Sequence, residues 1–221
     1  MNLIKHRELF DPTKVDEPIH IIGCGAIGSH LAELLTRLGL NNFKLYDFDT
    51  VEDKNLANQL FLHKHIGKAK VLAVAEQIQM INPTAKITVF EEGYTDQQLN
   101  GYVFLAVDSI ELRRSICIAN KFNNYIKAIF DFRMRLTDAQ HYAANWKERD
   151  HKLQLLKTME FTSDEAQAAT PTNACGSTLS IIPTVKIVTA TGVANFINFA
   201  NGYALKQTIL IDAFTFNILP M

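Results

Sequence analysis

The chain has 221 residues and sets 22 lysines and arginines against 23 aspartates and glutamates, a formal net charge of −1, which excludes a basic nucleic-acid binder and an acidic tail alike. With 48% hydrophobic and 10% aromatic residues, and only 10 glycines and 6 prolines, it has the composition of a packed globule and not of a disordered or collagen-like chain. One domain spanning residues 1–221 is the default; burying roughly 70% of its unfolded surface, such a domain needs no disulfide or structural metal to hold its core.

In chain order, Ile19 to Ile22 is a short apolar run ending at Gly23 and reads as a strand. Ser29 to Leu38 carries apolar residues at helical spacing and is closed by Gly39; Phe43 to Tyr46 is a second strand ending at Asp47. Together these form a βαβ unit. Val71 to Met80 reads as a helix stopped by Asn82-Pro83, Ala85 to Phe90 and Tyr102 to Val107 as strands, Glu111 to Asn120 as a helix, and Tyr125 to Phe130 as a strand. From about Thr137 to Thr172 the sequence turns polar and charged, which suggests a crossover loop running over the surface and covering a site. Ser180 to Ala200 is a long apolar helix opened near Pro183, and Gln207 to Asp212 with Phe214 to Leu219 form a closing hairpin. Alternating strands and helices imply an α/β fold. Its sheet is Rossmann-like and mostly parallel, with helices on both faces and antiparallel strands at the C-terminal end.

The three cysteines, Cys24, Cys117 and Cys175, form no CxxC pair, which argues against a disulfide framework and a four-cysteine zinc site and favours a reducing compartment. The start, MNLIKHRELFDP, lacks the apolar core of a signal peptide, and no run approaches the ~20 apolar residues of a membrane helix. The reading is a soluble cytoplasmic protein with neither a nucleic-acid nor a membrane partner. The seven histidines show no metal-ligand spacing. Trp146 reads as an anchoring aromatic on a solvated helix, with contact to a partner's tail as the alternative.

Gly23-Cys24-Gly25-Ala26-Ile27-Gly28 follows a strand and opens a helix. In that context Gly23 permits the tight turn, Gly25 lets a phosphate approach the backbone, and Gly28 allows close packing of helix on sheet. The N–H groups at the helix start, from Ala26 and Ile27 onward, offer partial positive charge to an anion. The motif alone fits NAD, FAD or ATP. Asp47, nineteen residues after Gly28, is placed to accept hydrogen bonds from ribose hydroxyls, so an adenosine nucleotide is favoured.

The next stretch runs Asp47-Phe48-Asp49-Thr50-Val51, then Asn55-Leu56-Ala57-Asn58-Gln59, then Gly67-Lys68-Ala69-Lys70. It closely resembles the DxDxVxxxNLxRQ and GxxK motifs of the ThiF/MoeB/HesA family, whose members include the adenylation domains of ubiquitin-activating enzymes. Ala106-Val107-Asp108-Ser109, with Arg113 five residues past the aspartate, resembles the family's TDNxxxR segment. The similarity runs to Ile211-Asp212-Ala213, over essentially the whole chain. Cys175, eight residues before Pro183, resembles the cysteine that some members place ahead of the helix after the crossover loop, reactive in those that transfer sulfur. Arg7 stands where members carry an arginine that reaches into the neighbouring subunit's nucleotide site.

The resemblance implies ATP-dependent adenylation of a carboxylate, the C-terminal glycine of a ubiquitin-like or sulfur-carrier protein, by a homodimer. In such a site Lys70 contacts the phosphates, Asp108 holds Mg²⁺, Asn55 bonds the triphosphate and Arg113 adds positive charge, with Asp49 and Gln59 in the nucleotide-binding motif. The acceptor is already an anion, so the reaction needs alignment and charge neutralisation but no general base. No zinc is expected.

Asn58 departs from the pattern, because the family has arginine at that place and asparagine supplies no charge. Lys54, Lys64 and Lys68 lie in the same segment and are candidates to compensate. The alternatives are a catalytically silent nucleotide-binding scaffold and, on the glycine motif and Asp47 alone, an NAD-dependent oxidoreductase. For Cys175, a reactive thiol and a small buried residue are both open; Cys24 and Cys117 read as packing residues.

Overall fold

The computed structural model describes residues 1–168, 172 and 179–221. Strands β1 (Ile19–Ile22), β2 (Asn42–Tyr46), β3 (Lys86–Phe90), β4 (Gly101–Leu105), β5 (Ile126–Met134), β6 (Asp138–Asn145), β7 (Thr208–Asp212) and β8 (Asn217–Pro220) form one sheet. Their order is β3-β2-β1-β4-β5-β6-β7-β8. The five strands from β3 to β5 pair in parallel, and β6, β7 and β8 add on antiparallel. Chain order reverses between β1 and β4, which opens a crevice at their C-terminal ends where ligands of such sheets bind.

The helices are α1 (Ala26–Arg37), α2 (Lys70–Ile81), α3 (Ile110–Ala119), α4 (Arg149–Lys157), α5 (Ser163–Ala168) and α6 (Ile182–Ala200). Helices α1, α2 and α6 bury Leu31, Leu35, Val74, Val188 and Phe196 with Ile21, Phe104 and Phe130 on one face of the sheet. On the other face Ile116, Cys117, Leu155 and Met159 pack with Val103, Leu105 and Ile129. Phe196 meets the rings of Phe10, Tyr102, Phe104 and Phe130 with centroids 5.2–6.0 Å apart, tying α6 and the N-terminal segment to the middle of the sheet.

The α/β architecture with parallel strands, helices on both faces and antiparallel C-terminal strands is the one the sequence predicts. The region from 137 to 172 differs. Its first part is not a surface excursion but strand β6, inside the sheet between β5 and β7. Ala139, His141 and Ala143 point inward and alternate with Asp138, Gln140 and Tyr142, so half of a polar-looking sequence faces the core. Trp146 is 1% exposed. Its indole N–H donates to the Asn120 carbonyl at 2.8 Å, which makes it a core anchor beneath α3 and not a surface aromatic.

His20, His30, His65 and His141 are buried, and burial shifts three of them. His20 is hydrogen-bonded to the Tyr46 hydroxyl at 2.9 Å and to Asn100 at 3.1 Å. His141 stands 3.1 Å from the Asn195 amide nitrogen, and its Nδ1 has no partner. Neither ring nitrogen of His30 makes a hydrogen bond of normal geometry. Burial pushes all three down to about 4. An unfolded histidine takes its proton near 6.5, whereas the folded ones resist until about 4, so the unfolded state binds more protons between those values. Stability is therefore expected to be flat above neutrality and to fall as pH drops from 6.5 toward 4, by about 3 kcal/mol per histidine. Urea unfolding across that range checks this, and a flat profile would contradict it.

Candidate nucleotide site

The crevice is built by two loops in direct contact. Gly23 leaves β1 with φ of +95°, and a Cβ there would stand 2.7–2.8 Å from the Ala106 and Val107 backbone that leaves β4. Gly28 presses against the Gly23 carbonyl, which draws the first turn of α1 onto the strand end. Gly25 is the N-cap of α1 and offers no side-chain cap, so the first N–H groups of the helix, including those of Ala26 and Ile27, point into the crevice. A Cβ on Gly25 would meet nothing within 4 Å except Gln59 Oε1, at 4.0 Å. That oxygen is buried and has no hydrogen-bond partner. The turn thus presents the unused donors and the open approach that an anion requires.

Asp47 closes the floor. One carboxylate oxygen accepts the Cys24 N–H at 2.6 Å and the other the Asp49 N–H at 2.9 Å. Burial raises its carboxyl above the usual range, opposed by those two N–H groups and by Lys70. The next segment is zipped to the start of α2, with Thr50 bridging Ala69 and the Val51 N–H donating to the Lys68 carbonyl. This pairing delivers Lys70, only 7% exposed, to Asp49: its Nζ lies 2.7 Å from Oδ2 and its N–H donates to the Asp49 carbonyl. Asn55 is buried, and its side-chain oxygen accepts the Glu52 N–H at 2.8 Å to close a short 3-10 turn over Asp53–Ala57. Asn58 follows that turn and donates from Nδ2 to Ser180 Oγ, next to the start of α6.

Asp108 leaves β4 beside the glycine turn with an exposed side chain, and one oxygen accepts the Ser109 N–H at 2.9 Å. The described residues contain no cluster of three or more His, Cys, Asp or Glu that could hold a metal alone. A lone strand-end carboxylate fits Mg²⁺ in the manner that cation favours, with phosphate oxygens and water completing the shell.

The structure brings together Gly23, Gly25, Gly28, Asp47, Asp49, Asn58, Gln59 and Lys70, with Asp108 on the neighbouring strand end. Arg113 is turned inward. It pairs with Asp131, which is 0% exposed, and donates to the Leu105 and Val107 carbonyls. It therefore braces the backbone that carries Asp108. Arg133 holds the other Asp131 oxygen and donates to Thr158. Arg7 is exposed in the N-terminal turns. Those turns pack at the C-terminal end of α1, where His6 contacts the Leu38 carbonyl, ~18 Å along the helix from the glycine turn of its own chain. Cys175 lies outside the described residues. Cys24 and Cys117 are both 0% exposed, and burial pushes their thiols up.

The lysines expected to compensate for Asn58 face elsewhere. Lys54 pairs with Glu52 at 2.9 Å, and Lys64 and Lys68 both pair with Glu76, at 2.6 and 2.5 Å, holding that carboxyl down to about 2. Sequence reasoning did not reach Asp131 and Arg133. Their signal is a charged pair inside the apolar run Ile126–Met134.

The family model described as ThiF family matches residues 16–220, and the chain belongs to that family. It is 31% identical over 142 residues to ubiquitin-like modifier-activating enzyme 5 of Drosophila virilis, covering 56% of this chain and 34% of the relative. It is 32% identical over 117 residues to tRNA threonylcarbamoyladenosine dehydratase of Escherichia coli (strain K12), covering 48% of this chain and 44% of the relative. The chain thus matches less than half the length of either. The fold is shared with E. coli MccB solved with ATP, at a TM-score of 0.68 and 17% identity over 95% of this chain and 64% of that one.

Because Arg113 neutralises a fully buried carboxylate, Arg113→Met is expected to destabilise the protein by about 3 kcal/mol. Denaturant unfolding measures this; a loss below about 1 kcal/mol would mean that Arg133 alone satisfies Asp131.

Proposed function

We propose that the chain is an ATP-dependent adenylyltransferase, a single adenylation domain over residues 1–221 that activates a carboxylate as an acyl adenylate. The observation that carries this reading is the convergence on one crevice of an uncapped α1, an open Gly25 and a nearly buried Lys70 within 2.7 Å of Asp49. Support comes from family membership, and from MccB, solved with ATP and in another structure with N-formylated MccA.

In this reading the α1 N–H groups and Lys70 hold the phosphates, Asp47 takes the ribose hydroxyls, and Asp108 is the residue that would hold Mg²⁺. The cation supplies charge neutralisation when bound. The substrate's carboxylate oxygen attacks the α-phosphorus, a new P–O bond forms, and the bond to pyrophosphate breaks. Lys70 shifts from Asp49 toward the phosphates, so no ammonium has to be drawn from bulk water during the step. Arg113 acts as a positioning residue for the Asp108 loop. The substrate we infer is the C-terminus of a ubiquitin-like or sulfur-carrier protein. Arg7 would serve the partner's site in a homodimer, since it lies at the far end of α1 from its own. Cys175 would attack the acyl adenylate to form a thioester with release of AMP, or take part in sulfur transfer.

Asn58 favours one second reading, a nucleotide-binding scaffold without turnover, because its amide is engaged with Ser180 and brings no charge. Exchange of labelled pyrophosphate into ATP in the presence of a carrier protein separates the two. Adenylation predicts exchange that falls by about 10²–10³ in Lys70→Ala and in Asp108→Ala. Absence of exchange in the wild type, or unchanged exchange in both variants, would overturn it.

A further inference from the structure

Resting on the adenylation reading, the remaining question is which cation faces the terminal phosphate in place of the motif arginine. Asn58 is not an isolated substitution, because its hydrogen bond to Ser180 draws the start of α6 against the segment that overlies the glycine turn. Leu60, two residues on, donates its N–H to Ser29 Oγ at 3.0 Å and fixes the same segment to the first turn of α1. Helix α6 begins at Ile182 with Ile181 as N-cap and no side-chain cap. The start of α6 thus lies beside Asn58, with Pro183 in its first turn leaving it one N–H fewer than α1 offers.

Lys186 stands one turn into α6. Its Nζ is 3.6 Å from Glu33 Oε2, and its side chain is 48% exposed. Glu33 is already paired with Arg37 at 2.9 Å, so Lys186 shares a carboxylate that has a closer partner. Helical side chains lean toward the N-terminus, and the turn separating Lys186 from Ile182 is ~5.4 Å long, within the span of a lysine stem. His30, 2% exposed, lies close to Lys186 and to the Asn58 backbone, and neither ring nitrogen makes a hydrogen bond of normal geometry. This corner of the crevice holds unused polar capacity that a bound phosphate and its water would satisfy.

We propose that Lys186 is the phosphate-binding cation that replaces the missing arginine, releasing Glu33 and reaching past His30 to the terminal phosphate. The charge has moved from the segment after β2 to α6.

The test compares binding of Mg²⁺-ATP and of AMP by calorimetry in the wild type, Lys186→Ala, and Lys186→Ala combined with Asn58→Arg. The expected result is a loss of ATP affinity of about tenfold or more in Lys186→Ala, AMP affinity unchanged within about twofold, and recovery of ATP binding in the double variant. Equal losses for both nucleotides, no loss for either, or no recovery with arginine at position 58 would overturn the assignment. A wild type that binds neither nucleotide would instead remove the adenylation reading, and this inference with it.

Discussion

The site depends on a backbone contact. Gly23 and Ala106 leave adjacent parallel strands and touch so closely that no side chain fits at position 23. That contact holds the β1 loop against the β4 loop at the point where chain order reverses. Gly28 then pulls the start of α1 down onto the same spot. Once these two loops are fixed, the helix dipole, Asp47 and the strand end carrying Asp108 share one crevice without any further device.

Charge is distributed around that contact in an ordered way. Asp47 is tied to backbone N–H groups on both oxygens, so it shapes the floor without swinging. Asp49 keeps Lys70 at the crevice in the absence of phosphate, which would otherwise leave a nearly buried ammonium uncompensated. Behind the Asp108 loop, Asp131 is shared by Arg113 and Arg133, a buried triad that links β5 to the backbone after β4 and, through Thr158, to the end of α4. Lys54, Lys64 and Lys68 are engaged on the surface by Glu52 and Glu76.

The parallel half of the fold was legible because its strands are short apolar runs ended by glycine or aspartate, and because glycines at 23, 25 and 28 announce a strand, a turn and a helix in six residues. The polar region after Thr137 was not, because β6 is buried through His141 and small alanines, side chains that composition assigns to the surface. Trp146 does anchor, as its aromatic character suggests, but it fills the space under α3 from the end of β6 and not from a solvated helix, which its charged neighbours Lys147 and Glu148 suggest. In the site, the motif residues from Asp47 to Lys70 were visible as a pattern. Their partners were not, since the bond from Asn58 to Ser180 joins positions 122 residues apart. The inward turn of Arg113 likewise depends on Asp131, a neighbour that only the sheet register supplies.

The central claim is that an adenosine triphosphate occupies the crevice with its α-phosphate on the N–H groups that follow Gly25. A crystal structure of the protein with ATP and Mg²⁺ tests it most directly. The account predicts the α-phosphate within hydrogen-bond distance of the Ala26 and Ile27 N–H groups, the ribose on Asp47, and Lys70 Nζ on a phosphate oxygen instead of Asp49. A crevice that stays closed by the Gln59 side chain, or that holds only a dinucleotide, would contradict it.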